Sequence, residues 1–445
     1  MPENGYQYDV LYIGAGHGTF DGAAPLAAKG YKVGVVEADK IGGTCPNRGC
    51  NAKITLDAPV ELVRFQERMK DIVSGDLTFN WAENVKHEDE VIDGLPDFIS
   101  GLLNDSGVDI IKGHGKLTGA HSVDVDGTEK TAANIVVATG QRPHRVDVPG
   151  SKLAHDSTEF MAMTELPQNI TIIGSGYISL EFATIANAAG SDVTVLMHHD
   201  KALRAFHQPY VEHVLADLES RGVKFVKNVE VSEFTQNGDK YTVSYNDGQS
   251  VETDWILDAS GRIPNVEELG LDEVGVKYNE HGIEVNDHLQ TSVDSIYASG
   301  DVLDKKQPKL TPTAIYETTY LMQLFSKETT DAINYPAIPS VVFTSPRIAQ
   351  VGVNPVSVAD NKDYTVNENN LLDGWYRLVD NESYAKNTIV YDADHKIVGA
   401  SEVSEKADNA INSILPAIEF GFGPEELGRL VYLFPSLESD TKDLL

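Results

Sequence analysis

Two stretches of the chain carry the same hydrophobic pattern. Residues 8–37 read YDVLYIGAGHGTFDGAAPLAAKGYKVGVVE. An apolar run, Val10 to Ile13, leads into clustered glycines, a small-residue segment and a second apolar run, Lys32 to Val36, that ends on Glu37. Apolar runs without alternation predict strands covered on both faces, and strand–glycine–helix–strand is a βαβ unit. The pattern returns from Asn169 as NITIIGSGYISLEFATIANAAGSDVTVLMHHD, with its second strand running to Leu196.

The rest of the chain connects and completes these units. Residues 83–106 are polar with helical patches, and short strands are predicted around Val108–Ile111 and Ser122–Val125. NIVVATG, Asn134 to Gly140, reads as a buried strand ending in a small-residue turn. Alternating strands are predicted over 222–260, closing on ASGRIPN, Ala259 to Asn265. SIYASGDV brings Asp301 to the end of a strand, and LTPTA, Leu310 to Ala314, opens a helix. After Asp331 the pattern changes. Tyr335–Val353 and Asn370–Ser401 read as antiparallel, with turns at Asp380-Asn381 and Asp392–His395, and helices follow over Ala407–Phe422 and Pro424–Leu430. The predicted fold is α/β, with two doubly wound Rossmann-like nucleotide-binding domains and a C-terminal α+β domain.

The glycines say what the two units bind. Gly14 suits a tight turn, and Gly16 lets a pyrophosphate approach the backbone at a helix N-terminus. Glu37 stands where an acid accepts from a ribose hydroxyl. Thr19 occupies the third glycine position, so helix and strand are expected slightly further apart there. In the second unit Gly174 and Gly176 repeat the turn, but the second strand ends in Met197-His198-His199, with Lys201 and Arg204 beyond. Those side chains attract a ribose 2′-phosphate where an acid would repel it, which favours NADPH.

Between the units lies IGGTCPNRGCNAK, Ile41 to Lys53, which holds Cys45 and Cys50, the two cysteines of the chain. At the start of a helix the positive end of the dipole favours thiolate over thiol, and thiolate is the form that attacks a disulfide. Two ligands at this spacing do not make a tetrahedral zinc set, and no metal is expected. Two cysteines in a long chain point to a reducing compartment, and a cytoplasmic location is expected. The N-terminus, MPENGYQYDV, shows no signal-peptide apolar region.

The 445 residues suggest about three domains. A net charge of -33, from 35 basic and 68 acidic residues, argues against nucleic acid and anionic membranes as partners. No run of 18 apolar residues occurs to span a bilayer.

With these motifs assembled, the chain resembles the pyridine nucleotide–disulfide oxidoreductase family, the group of glutathione reductase, dihydrolipoamide dehydrogenase and mercuric reductase. GGTCPNRGC followed by Lys53 is the most specific match, supported by GAG with Glu37, ATG, GSGYISLE, ASGRIPN, SGD and LTPTA. The resemblance implies an enzyme of cell redox homeostasis that takes electrons from NADPH through FAD to a Cys45–Cys50 disulfide and on to an acceptor. It implies Cys50 as the flavin-proximal thiol and Cys45 as the thiol that attacks substrate. Lys53 and Glu181 would pair beside the flavin, and Tyr177 would gate the nicotinamide. Gly14, Gly16, Glu37, Gly43, Thr44, Gly140 and Asp301 would hold FAD. Gly174, Gly176, His198, His199, Arg204 and Arg262 would hold NADPH. The implied domains are FAD-binding over 1–144 and 265–334, NAD(P)H-binding over 145–264, and a homodimerisation domain over 335–445.

The resemblance breaks at the acceptor side. The family's disulfide reductases end close to HxHPTxxE, whose second His moves the proton in thiol exchange across the dimer. Here the stretch is Tyr432-Leu433-Phe434-Pro435-Ser436-Leu437-Glu438-Ser439, with Phe434 at the base position and Ser439 at the Glu position. The arginines that glutathione reductases aim at their tripeptide are replaced at Ala24 or Pro25 and at Thr318 or Thr319, and Pro25 should bend or loosen its helix. His17, Phe20, Asp21, Tyr432, Phe434 and Glu438 are the candidate substrate-side residues. Three readings follow: reduction of a disulfide other than glutathione disulfide, reduction of a metal ion, quinone or oxygen, and a non-catalytic redox sensor.

Overall fold

A computed structural model of the chain describes residues 5–75 and 77–442. The chain divides into two compact units: residues 1–55, 86–144 and 262–335 make the first, and 56–85, 145–261 and 336–445 the second.

The first unit is built on a seven-stranded sheet. β1 (Tyr8–Ile13) lies between β2 (Val33–Glu37) and the long β6 (Thr128–Val137), all parallel, with Val10 opposite both Val33 and Asn134. β3 (Asp109–Lys112) extends the sheet beyond β2, and the strand Ile296–Ala298 pairs parallel with β6. β4 (Gly115–Gly119) and β5 (Ser122–Val125) complete it as an antiparallel meander on the first half of β6. β1 is buried along nearly its whole length, as a strand covered on both faces must be. The connection from β1 to β2 runs one way and β6 lies on the other side, so the crevice at the carboxyl end of β1 is the switch point where such sheets bind ligands.

Helix α1 (Phe20–Ala28) follows that crevice. Pro25, expected to bend or loosen this helix, lies inside it, and the helix continues through it to Ala28. The cysteine stretch forms two helices rather than one. α2 (Thr44–Arg48) is a single turn, and α3 (Cys50–Arg68) begins one residue later. Gly49 divides them, because a Cβ there would stand 2.9 Å from the Thr44 carbonyl oxygen. α4 (Trp81–Ile92) and α5 (Leu95–Asp105) account for the polar helical region.

The second unit repeats the theme and adds two antiparallel sheets. Its parallel sheet orders the strands Lys224–Val226, Asp192–Leu196, Asn169–Ile173 and Trp255–Asp258. A three-stranded ribbon covers residues 231–253. The C-terminal part is a five-stranded antiparallel sheet backed by the helix Ala407–Phe420. One segment departs from the reading of Asn370–Ser401 as wholly antiparallel: Trp375–Val379 is a short helix. It brings the buried Arg377 guanidinium to Glu382 at 2.8 Å and Glu402 at 2.6 Å, an ion-pair network invisible to hydrophobic periodicity.

Candidate active site

The glycine turn after β1 is closed from several sides. Gly14 has φ +103°, and a Cβ there would lie 2.4 Å from the Ala138 carbonyl oxygen, so no other residue fits. Gly16 is different: a Cβ would meet nothing nearer than 3.8 Å, so the missing side chain leaves open approach to the backbone. Thr19 is fully buried, and its hydroxyl donates to the Gly14 carbonyl at 2.8 Å, so it ties helix to turn. The second unit repeats this detail. A Cβ at Gly174 would stand 2.3 Å from the Ala259 carbonyl oxygen, and Ser179 donates to the Gly174 carbonyl at 2.8 Å.

Glu37 accepts from the Ala15 amide and the Asp39 amide, both at 2.8 Å, one on each carboxylate oxygen. Each oxygen keeps a further lone pair for a ribose hydroxyl. Asp301 sits in a short 3₁₀ turn after Ile296–Ala298. Glu317, fully buried, pins that turn by accepting from the Gly300 amide at 2.7 Å, and it binds Lys305 at 2.7 Å and the Tyr335 hydroxyl at 2.8 Å. Burial pushes the Glu317 carboxyl up, against the pull of Lys305. Open glycine backbone, a ribose acceptor and a braced acidic turn at one sheet edge fit a dinucleotide such as FAD.

The dithiol stands beside this turn. The Gly42 amide donates to the Ala15 carbonyl at 3.0 Å, and a Cβ on Gly43 would come within 2.9 Å of the Gly16 Cα. The Asn47 amide group holds the loop by donating to the Ile41 and Gly43 carbonyls at 2.9 and 2.8 Å. Both cysteines are free; Cys45 is half-buried and Cys50 exposed. Cys50 is the first residue of α3, at the positive end of a 19-residue helix. The hydrogen bond from Cys45 is the largest influence that brings the Cys50 thiol down, to about 6, with help from Thr311, Lys53 and His17. Cys45 is pushed up by its bond to Cys50 and by burial. Both shifts favour the negative charge on Cys50 over Cys45.

Thr311 is the residue that motif reading did not assign. Its hydroxyl lies 3.4 Å from the Cys50 sulfur, at the first turn of the helix Thr311–Phe325. LTPTA marked the helix start but not a partner 261 residues from Cys50. Thr318, one of the expected substrate-facing positions, is instead fully buried and donates to the Thr19 carbonyl at 3.4 Å. A Cβ on Gly22 would strike the Thr318 carbonyl oxygen at 2.3 Å, so the two helices are in backbone contact there. Ala24 is likewise buried. Phe20, expected at the substrate face, is 7% exposed and joins the core, with its ring centroid 4.5 Å from that of His17. It backs His17 rather than offering a surface. His17 binds Asp21 through Nδ1 at 2.8 Å.

The remaining candidates fall in both units. Lys53 belongs to the first and Glu181 to the second, where buried Glu181 accepts from the Phe343 amide at 2.9 Å. Tyr177 is exposed at the start of the helix Tyr177–Ala188, directly after Gly176. His198 and His199 are exposed and 3.3 Å apart, with exposed Lys201 and Arg204 following and Asp200 between. Gly140 has φ +66° at the end of the turn after β6. Arg262 lies in the first unit, donating to the Gln141 carbonyl at 2.7 Å. In the second unit Phe434 is 72% exposed and Tyr432 half-buried; burial and then the Glu438 charge push the Tyr432 phenol up.

Residues 8–318 match the family described as pyridine nucleotide-disulphide oxidoreductase, and residues 338–444 match its dimerisation domain. The chain belongs to this family. Glutathione reductase of Nostoc sp. is 29% identical over 97% of this chain and 98% of its own length. Dihydrolipoyl dehydrogenase of Cupriavidus necator is 30% identical over 97% and 96%. Among solved structures, the HOCl-induced flavoprotein disulfide reductase RclA from Escherichia coli superposes with a TM-score of 0.88 at 24% identity, covering 98% of this chain and 99% of that one. Its Cu(II) complex gives 0.89 at 24% identity, covering 98% of each. This oxidoreductase is thus a flavoprotein that pairs FAD with a pyridine nucleotide, and its dimerisation domain supports a homodimer. Among the described residues, no helix is long and apolar enough to cross a membrane.

Proposed function

We propose that this flavoenzyme takes electrons from NADPH and delivers them through Cys45 and Cys50 to a disulfide other than glutathione disulfide. FAD, when bound, supplies two-electron transfer between nicotinamide and dithiol. The chain's own residues do the rest. Gly14, Gly16, Gly43, Thr44, Glu37, Gly140 and Asp301 hold the dinucleotide. Gly174 and Gly176 seat the nicotinamide nucleotide, Tyr177 covers it, and His198, His199 and Arg204 take its 2′-phosphate. Arg262, one of whose nitrogens donates to the Gln141 carbonyl, keeps its charge and further N–H donors for a cofactor.

The observation that carries the reading is the setting of the dithiol: Cys50 opens α3, with the Thr311 hydroxyl 3.4 Å from its sulfur and Cys45 beside it. Cys45, Thr311 and Lys53 favour the thiolate at Cys50, while its bond to Cys50 and burial hold Cys45 toward the thiol. The substrate preference rests on the C-terminal segment. Exposed Phe434 replaces a proton-moving His with an apolar ring, and no arginine occupies Ala24, Pro25, Thr318 or Thr319 to meet the tripeptide's carboxylates. In the homodimer Phe434 would face the partner's dithiol.

A second reading has one specific support. RclA is described as forming Cu(II) complexes, and a metal ion could be the acceptor here too. Among the described residues no group of three His, Cys, Asp or Glu side chains is set to hold a metal, so the disulfide reading leads. Anaerobic stopped-flow decides between them. The protein is reduced with one equivalent of NADPH or NADH, then mixed with glutathione disulfide, aryl and coenzyme A disulfides, a quinone, Cu(II) or oxygen. Reoxidation by non-glutathione disulfides alone supports the proposal. A kcat/KM above about 10⁴ M⁻¹s⁻¹ for glutathione disulfide, or discharge only by metal, quinone or oxygen, refutes it.

A further inference from the structure

The bond to Cys50 and burial push up the Cys45 thiol, the sulfur that must lose its proton to attack. Thiol exchange needs a group to take that proton and return it to the leaving sulfur. Phe434 offers none. The first unit, however, holds a histidine–carboxylate pair in the turn that packs on the cysteine loop. His17 Nδ1 lies 2.8 Å from Asp21 Oδ2, with side chains 19% and 25% exposed. Asp21 stands in the first turn of α1, where the helix dipole favours its negative charge. With Nδ1 committed to the carboxylate, Nε2 is the nitrogen free to exchange a proton. Phe20 packs against the ring and fixes its plane, their centroids 4.5 Å apart.

The backbone brings this pair to the dithiol. His17 follows Gly16 in the turn that touches the cysteine loop, through the Gly42 amide on the Ala15 carbonyl at 3.0 Å and the close approach of Gly43 to Gly16. The charged and titratable groups around it come from each neighbouring element. α1 gives Asp21, the cysteine helices give Cys45, Cys50 and Lys53, β2 gives Glu37 on the Ala15 amide, and the helix Thr311–Phe325 presents the neutral Thr311. Once protonated, His17 would lower the Cys50 thiol, so the proton it takes from Cys45 also readies Cys50 to attack.

We propose that His17 and Asp21 form the acid–base pair of thiol–disulfide exchange, supplied by the same chain that carries Cys45 and Cys50. This rests on the disulfide reading above. Nε2 takes the Cys45 proton as Cys45 Sγ bonds to one sulfur of the acceptor and the acceptor S–S bond breaks. The imidazolium returns the proton to the departing sulfur, which leaves as a thiol. Cys50 thiolate then attacks Cys45 Sγ, releasing the second acceptor sulfur as thiolate. The dithiol is oxidised to a disulfide and the acceptor is reduced by two electrons to one thiol and one thiolate. Asp21 holds the tautomer and stabilises the imidazolium.

The test compares two leaving groups. The holoenzyme and its His17→Gln and Asp21→Asn variants are reduced, then mixed in single turnover with an alkyl disulfide and with an aryl disulfide. A low-pKa aryl thiol leaves without a proton, whereas an alkyl thiol does not. His17→Gln should lose about 10²–10⁴-fold with the alkyl disulfide and less than about tenfold with the aryl one, and Asp21→Asn should follow with a smaller loss. Equal losses with both overturn the proposal and leave His17 a packing residue. A second measurement needs no disulfide: the pH profile of dithiol alkylation by iodoacetamide. It should move to higher pH in His17→Gln, and an unmoved profile overturns the pairing. If the wild-type dithiol is alkylated but reacts with neither disulfide, the disulfide reading fails, and alkylation alone decides the pairing. Flavin content checks the fold of each variant.

Discussion

Thr311→Val removes the hydroxyl that bonds the Cys50 sulfur and also acts on Cys45. The two side chains have the same shape, and Thr311 does not cap its helix, because Leu310 holds that position. A hydrogen bond to a charged group is worth about 1.5–3 kcal/mol, and each pKa unit corresponds to about 1.4 kcal/mol. Here the contact is 3.4 Å long and Cys50 is exposed, so the low end applies. The Cys50 thiol, now brought down to about 6, should rise by about one unit. The sign follows from the charge: Thr311 donates to the thiolate, so its loss favours the protonated thiol. The assay is iodoacetamide alkylation of the reduced protein across pH, with peptide mass identifying the modified cysteine. At pH 7 the variant's rate should fall to about half of wild type, while the plateau at high pH stays the same. A midpoint that moves by less than about 0.3 unit would refute the claim that Thr311 holds the thiolate. A lowered plateau would point to lost packing instead.

Two glycine substitutions should separate the cofactors. Gly14→Ala forces a Cβ to 2.4 Å from the Ala138 carbonyl oxygen, and the purified protein should lose its flavin absorbance. Gly174→Ala makes the same clash with Ala259 at 2.3 Å, and should keep flavin while raising KM for the pyridine nucleotide. Glu317→Gln leaves Lys305 charged and buried, which should cost about 3–5 kcal/mol in urea unfolding. Arg204→Ala should raise KM for NADPH well above that for NADH if the exposed cluster takes a 2′-phosphate; equal changes would remove it from that role.

Much of this was legible in the chain. The two strand–glycine–helix–strand runs announced two nucleotide units, because buried parallel strands and tight turns have local signatures. Cys45 and Cys50 were readable for the same reason: their neighbours Gly43, Pro46 and Gly49 shape a local turn. What the chain hid was long-range. Thr311 meets Cys50 only through folding, and Glu317 gathers Lys305, Tyr335 and the Gly300 amide from separated segments. Phe20 stood among the substrate-side candidates because it follows the glycine turn, and periodicity cannot say which side of a mostly apolar α1 meets a second helix. The helix Trp375–Val379 was missed because buried charge, in Arg377 with Glu382 and Glu402, organises it.

An acid–base pair within the chain alters what the C-terminal segment is for. In a reductase that depends on its partner's histidine, Phe434 would disable the exchange step. With His17 and Asp21 in place, Phe434 need not move a proton. This makes Phe434→His with Ser439→Glu informative as half of a double-mutant cycle. Residues that supply the same proton transfer are not additive. In the wild-type background the restored pair should raise alkyl disulfide exchange by less than about tenfold, since one base already serves. In the His17→Gln background it should recover much of the lost rate, about 10²-fold, if the partner's residue 434 reaches Cys45. Equal gains in both backgrounds would show two independent effects and would separate His17 from the proton. No gain in either would place the C-terminal segment away from the dithiol.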